Sequence, residues 1–178
     1  MKIIEIDKSL YRKNLNLVTI ILVVSLSLLS LLFGAALIAA FGVNGSESVS
    51  SGDSTGNFHL NLLGVVLAAA TCVGVIIYIK DRPWLREVYY VWQLKALHNR
   101  IYRRLKSIKA AAKQGDVNAL IILNYYYAGL KQIYFLDNNT LTISKVDNDI
   151  AELEHTITEL QLTILVEQFD VGMLNDFK

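Results

Sequence analysis

The chain has 178 residues, of which 53% are hydrophobic and 19% charged, with one proline, one cysteine and a formal net charge of +1. That length accommodates a pair of membrane spans and one modest domain. The lone Cys72 excludes an intrachain disulfide and a thiolate metal cluster.

Residues 1–14 are expected to form a cytoplasmic N-terminal segment. Ile3, Ile6 and Leu10 recur at helical spacing among charges, and Asp7 is placed to cap a helix entering the membrane. The segment reads as a flank that supplies positive charge, with a surface-lying amphipathic anchor as the alternative.

Residues 15–43 form the first expected transmembrane helix, and residues 60–80 the second. Each reaches the roughly 20 apolar residues that a hydrocarbon core about 30 Å thick requires. The first run is too long for the apolar region of a cleaved signal peptide and is read as an uncleaved anchor. Lys2, Lys8, Arg12 and Lys13 precede the pair, Lys80, Arg82 and Arg86 follow it, and no Lys or Arg lies between. This bias predicts both termini in the cytoplasm and residues 44–59 outside. That external loop, rich in Gly and Ser, is too polar to form a core, and its Glu47 and Asp53 are too scattered to hold a metal.

Small residues recur four apart in both runs: Ala35 and Ala39, Gly64 and Ala68, Ala70 and Gly74. Such spacing lets helix backbones approach closely, which is what drives helix association in lipid. It fits pairing of the two spans within a chain as well as association between copies. No Asp, Glu, Lys, Arg or His lies inside either span, which argues against a proton pump or a coupled transporter. A passive oligomeric pore lined by Ser25, Ser27, Ser30 and Thr71 stays open.

Residues 81–178 are expected to form a cytoplasmic helical domain. Tyr78, Trp84, Tyr89 and Tyr90 mark the membrane interface, with Lys80, Arg82 and Arg86 as candidate contacts for anionic lipid. The domain is split in charge: residues 80–113 carry ten Lys/Arg against two acids, and residues 116–178 carry three Lys against ten acids. The first helix is predicted from Pro83 to Lys113, ending at Gln114-Gly115-Asp116. The second is predicted from Val117 to Leu136; it is apolar nearly all round and is expected to be central.

The third predicted helix is the most regular. Ile143, Ile150, Ile157, Ile164 and Val171 fall at heptad position a, and Val146, Leu153, Leu160, Glu167 and Leu174 at position d. Isoleucine at a with leucine at d favours a parallel two-stranded coiled coil. Asp147, Asp149, Glu154 and Asp170 at the flanking positions disfavour self-pairing, and the basic first helix offers Arg100, Arg103 and Arg104 as complements. An intrachain three-helix bundle is therefore preferred to a dimeric coiled coil. The expected fold is an all-α membrane protein: a two-helix transmembrane hairpin followed by a cytoplasmic three-helix bundle with a long heptad-patterned C-terminal helix.

No catalytic, metal-binding or cofactor-binding motif is present. His59, His98 and His155 stand apart from one another, and each reads as a partly exposed side chain rather than a ligand. Nucleic acid is not an expected partner, because the acidic block offsets the field of the basic one.

The segments Gly115-Asp116-Val117-Asn118-Ala119-Leu120, Asn124-Tyr125-Tyr126-Tyr127-Ala128-Gly129-Leu130-Lys131-Gln132-Ile133-Tyr134 and Leu136-Asp137-Asn138-Asn139-Thr140-Leu141-Thr142, with the opening Ile6-Asp7-Lys8 and Tyr11-Arg12, carry a resemblance. They resemble an uncharacterised family of small two-span inner-membrane proteins of gamma-proteobacteria, a domain of unknown function. The resemblance implies a bacterial inner-membrane setting and supplies no activity or site residues.

The chain is thus read as a non-enzymatic inner-membrane scaffold or adaptor without cofactor. Its partners would be the lipid bilayer and a second copy or another membrane protein. Tyr125, Tyr126, Tyr127, Ile150, Leu153, Ile157, Leu160 and Ile164 are the candidate interaction residues. The alternatives are a small oligomeric pore or transport-accessory subunit, and an enzyme without a recognisable motif.

Overall fold

The structure, a computed structural model, describes residues 2–42 and 56–177. Most of the expected external loop, with Glu47 and Asp53, lies outside the described residues. The described residues hold helices and no strand: α1 (Lys8–Phe41), α2 (Phe58–Ile79), α3 (Pro83–Tyr102), α4 (Leu105–Ala112), α5 (Val117–Leu136) and α6 (Thr140–Glu159), then two 3-10 segments, Val166–Gln168 and Val171–Asp176. They form two compact units, one of residues 13–86 and one of residues 1–12 with 87–178.

In the first unit, α1 and α2 are long and apolar enough to cross a membrane, each with a mean hydropathy of 2.6 over its best window. Leu60, Gly64, Ala68 and Cys72 form the buried stripe of α2, one residue every four. The stripe exists because Gly64 lacks a side chain. A Cβ there would stand 2.7 Å from the Gly34 nitrogen and 2.9 Å from its Cα, so the two backbones touch where these glycines cross. Toward the end that carries Lys13 and Arg86 the helices part. They leave an apolar crevice of about 150 Å³ that Trp84 and Leu85 help to close.

In the second unit, α5 is the centre. Ala119, Leu120, Ile122 and Tyr125 are fully buried on it, and α4, α6 and both 3-10 segments pack around it. Its start is fixed by Asp116, whose carboxylate accepts from the Ala119 N–H at 2.8 Å. Its end is a Schellman turn: Asn138 takes φ +60°, and the Asn139 N–H reaches back to the Tyr134 carbonyl at 2.9 Å. The N-terminal segment does more than supply charge. The Ile4 N–H donates to the Tyr90 hydroxyl at 3.1 Å, the Gln132 amide donates to the Ile4 carbonyl, and Ile3 packs on the core.

Two helix boundaries differ from the sequence pattern. The expected helix from Pro83 to Lys113 breaks at Arg103-Arg104, where the Arg104 N–H bonds back three residues to Ile101 and the Ser107 hydroxyl donates to the Arg104 carbonyl. The heptad helix stops at Glu159. Gln161 takes φ +54°, its N–H bonds to the Thr158 carbonyl, and the Leu162 N–H bonds to the Ile157 carbonyl, a second Schellman turn built on a residue other than glycine. The chain beyond it folds back as cover for α5, and Phe169, Leu174 and Phe177 enter the core there.

Candidate functional site

The polar centre of the second unit is His98 on α3, which is 5% exposed, where the sequence suggested a partly exposed ring. Its Nδ1 lies 2.9 Å from the Leu94 carbonyl and its Nε2 lies 2.9 Å from the Tyr126 carbonyl. Both neighbours are acceptors. A neutral imidazole has one N–H and can donate to only one of them, whereas the imidazolium donates to both. Burial nevertheless dominates and lowers the pKa from the ordinary 6.5, against the opposing pull of the Tyr126 and Leu94 carbonyls. Gly129 makes the fit possible: a Cβ there would collide with the imidazole Cε1 and stand 2.7 Å from Nε2. The ring also stacks on Tyr126, with centroids 5.2 Å apart.

The tyrosine run surrounds this histidine from inside. Tyr125, Tyr126 and Tyr127 are 0%, 6% and 5% exposed, so the three rings are part of the core of this unit. Tyr125 stacks on Phe169 with centroids 4.1 Å apart, and its buried hydroxyl has no hydrogen-bond partner among the described residues. Burial pushes the Tyr126 phenol up to about 12.

The remaining candidate residues separate. On α6, Leu153 is buried and Ile150 and Ile157 pack partly buried against the core, as does Ile164 beyond the helix, whereas Leu160 is 43% exposed. Among the described residues no ion pair joins Arg100, Arg103 or Arg104 to α6; the pair between α5 and α6 is Lys131 with Asp147 at 2.6 Å. In the apolar hairpin, Gly64 and Ala68 lie on the packed stripe, while Ala35, Ala39, Ala70 and Gly74 are exposed. Lys80, Arg82 and Arg86 sit around the turn from α2 into α3, with Arg82 and Arg86 exposed.

A groove of about 190 Å³ opens between α4, α5 and α6. Lys109 and Lys113 flank it on one side and Asp149 and Glu152 on the other, over a floor that includes Leu120, Leu123 and Leu153. The Lys109 ammonium stands 5.6 Å from the centre of the Tyr127 ring. No group of three or more His, Cys, Asp or Glu among the described residues is arranged to hold a metal ion.

Residues 1–174 match the family described as protein of unknown function DUF3087. The chain belongs to that family. No curated protein and no solved structure matches it.

Proposed function

We propose that this DUF3087 member is a helical scaffold or adaptor of the bacterial inner membrane. In this reading α1 and α2 form a transmembrane hairpin, both termini lie in the cytoplasm, and the helices after Arg86 form a cytoplasmic bundle that docks a second copy or another membrane protein. The observation that carries the reading is the pairing of two span-length apolar helices with a separately packed helical unit. Leu31 is 72% exposed and Ile77 56%, amid long runs of similarly exposed neighbours, an apolar surface far larger than water tolerates on a soluble monomer. The flanking Lys and Arg residues give the orientation.

The second reading, a small oligomeric pore or transport accessory, is favoured by the exposed Ala35, Ala39, Ala70 and Gly74, which offer a close-approach face for association between hairpins. Affinity purification of the full chain from membranes, followed by mass measurement in detergent, separates the two. The scaffold reading expects a stoichiometric partner or a dimer. A closed ring of many copies that conducts ions in planar bilayers would overturn it. A reporter fused after Lys178 should be active in the cytoplasm, and periplasmic activity would refute the orientation.

A further inference from the structure

We propose that the groove between α4, α5 and α6 is a binding site for a small zwitterion, an amino acid with an apolar side chain being the type that fits. The groove carries four charges. Lys109 and Lys113 stand on the α4 side, and Asp149 and Glu152 on the α6 side. Long side chains so placed would ordinarily close on each other, yet among the described residues no ion pair within 4 Å joins them. The pairs present elsewhere in the unit are Lys95 with Asp137 and Lys131 with Asp147, and the His155 Nδ1 lies 3.4 Å from the Glu159 carboxylate. Lys109 is turned onto Tyr127, at 5.6 Å from the ring centre and in a side-chain hydrogen bond with it, while Asp149 and Glu152 attract it from a longer range. The side chain of Thr156 is also committed, donating to the Glu152 carbonyl at 3.0 Å.

The facing walls select their ligand by charge. A simple anion drawn to the lysines meets two carboxylates across the groove, and a simple cation drawn to the carboxylates meets two ammonium groups. A molecule with both charges a few atoms apart satisfies both walls with charge-assisted hydrogen bonds. Leu123 and Leu153, 4% and 8% exposed, reach the floor between them over the fully buried Leu120, so an apolar side chain finds a small apolar surface to cover there. The volume of about 190 Å³ suits a molecule of amino-acid size and is below the range of about 300–1,000 Å³ typical of drug-sized ligands. The same pairing of charges occurs in a phosphoethanolamine headgroup, which lacks the apolar side chain. This inference is independent of the scaffold reading, since it concerns one purified chain.

The experiment is calorimetric titration of the full chain in detergent with L-leucine, L-leucinamide, N-acetyl-L-leucine, glycine and phosphoethanolamine. Saturable binding of leucine is expected, weakened about tenfold to a hundredfold when the carboxylate or the ammonium is masked. Glycine should bind more weakly than leucine because it leaves the floor unfilled. Tighter binding of phosphoethanolamine than of leucine would overturn the amino-acid assignment in favour of a headgroup. The double variants Lys109→Gln/Lys113→Gln and Asp149→Asn/Glu152→Gln should each lose leucine binding by a similar factor. Absence of leucine binding, equal binding of the masked forms, or binding unchanged in both variants would overturn the proposal. The masked ligands test it on the unaltered protein, so the outcome does not depend on how the variants fold.

Discussion

Replacing Gly129 by alanine tests whether His98 locks α3 to α5. The new methyl group would stand 2.7 Å from the imidazole Nε2 and closer still to its Cε1, with Leu94 Cδ1 at 3.5 Å closing another direction of escape. The ring must move, and 95% of its surface is already enclosed. Overpacking of this kind costs about 1–3 kcal/mol. Moving Nε2 off the Tyr126 carbonyl strands a buried polar group, at about 1–3 kcal/mol more. Alanine returns up to about 1 kcal/mol through its higher helix propensity. A net loss of about 1–6 kcal/mol follows, and each kcal/mol lowers the melting temperature of a unit this size by roughly 4–8 °C. The assay is thermal unfolding in detergent of the wild type, Gly129→Ala, His98→Ala and the double variant. If the collision with the imidazole is the cause, Gly129→Ala should cost little once His98 is already alanine, giving a coupling of at least about 1 kcal/mol between these touching residues. An equal cost of Gly129→Ala in both backgrounds would refute the reasoning.

The same histidine predicts a pH dependence. Its folded-state pKa lies below the ordinary 6.5, so the unfolded chain binds the extra proton more readily. Stability contributed by the neutral ring is full above about 6.5 and is lost as the pH falls toward the lowered folded-state value, with a slope of at most about 1.4 kcal/mol per pH unit. His98→Ala should flatten that slope, and an unchanged slope in pH-dependent melts would show that another group titrates. In the hairpin, Gly64→Leu should disrupt packing, because even a Cβ meets the Gly34 backbone at 2.7 Å, while Gly74→Leu meets nothing within 4 Å and should be tolerated. Crosslinking between cysteines introduced in α1 and α2 reads the difference, and equal loss in both variants would refute the glycine crossing. Phe169→Ala should cost about 3–5 kcal/mol by removing a buried ring stacked on Tyr125, whereas the 43%-exposed Leu160 should tolerate alanine with little change. The reverse order in denaturant melts would restore a continuous heptad helix.

The elements legible in the sequence were those whose signals are local. Asp116 supplies an oxygen at the N-cap, Gly115 supplies the positive φ of +82° before it, and the apolar run from Val117 to Leu136 matches the observed α5 at both ends. The two span-length helices follow from hydropathy alone. The close approach at Gly64 was also readable as a small-residue repeat, although that repeat does not say which of several small residues faces the other helix. His98 was missed because burial is a property of packing. The available clue was Gly129 in the middle of an otherwise bulky helix, a position where glycine costs stability unless something must come close.

The C-terminal third shows why periodicity over-reached. Ile143 through Leu174 keep a heptad step because each segment must place apolar groups on the same core, whether or not one helix carries them all. The step survives the reversal at Gln161, where nothing in the sequence announces a left-handed residue. Two departures from the pattern did announce a change: Glu167 falls on an apolar position, and Phe169 and Phe177 fall outside positions a and d yet are buried. A large aromatic residue off the stripe is the cheaper of the two signals to trust, because a solvated helix face has no reason to carry it. Its burial here has a structural consequence. The residues that a coiled coil would present to a second chain are instead spent on covering α5, so the exposed apolar positions left to a partner in this unit are scattered ones such as Leu141 at 92% and Leu165 at 56%. A partner of the kind proposed for this unit would therefore have to meet its flanking surfaces and not a continuous heptad face.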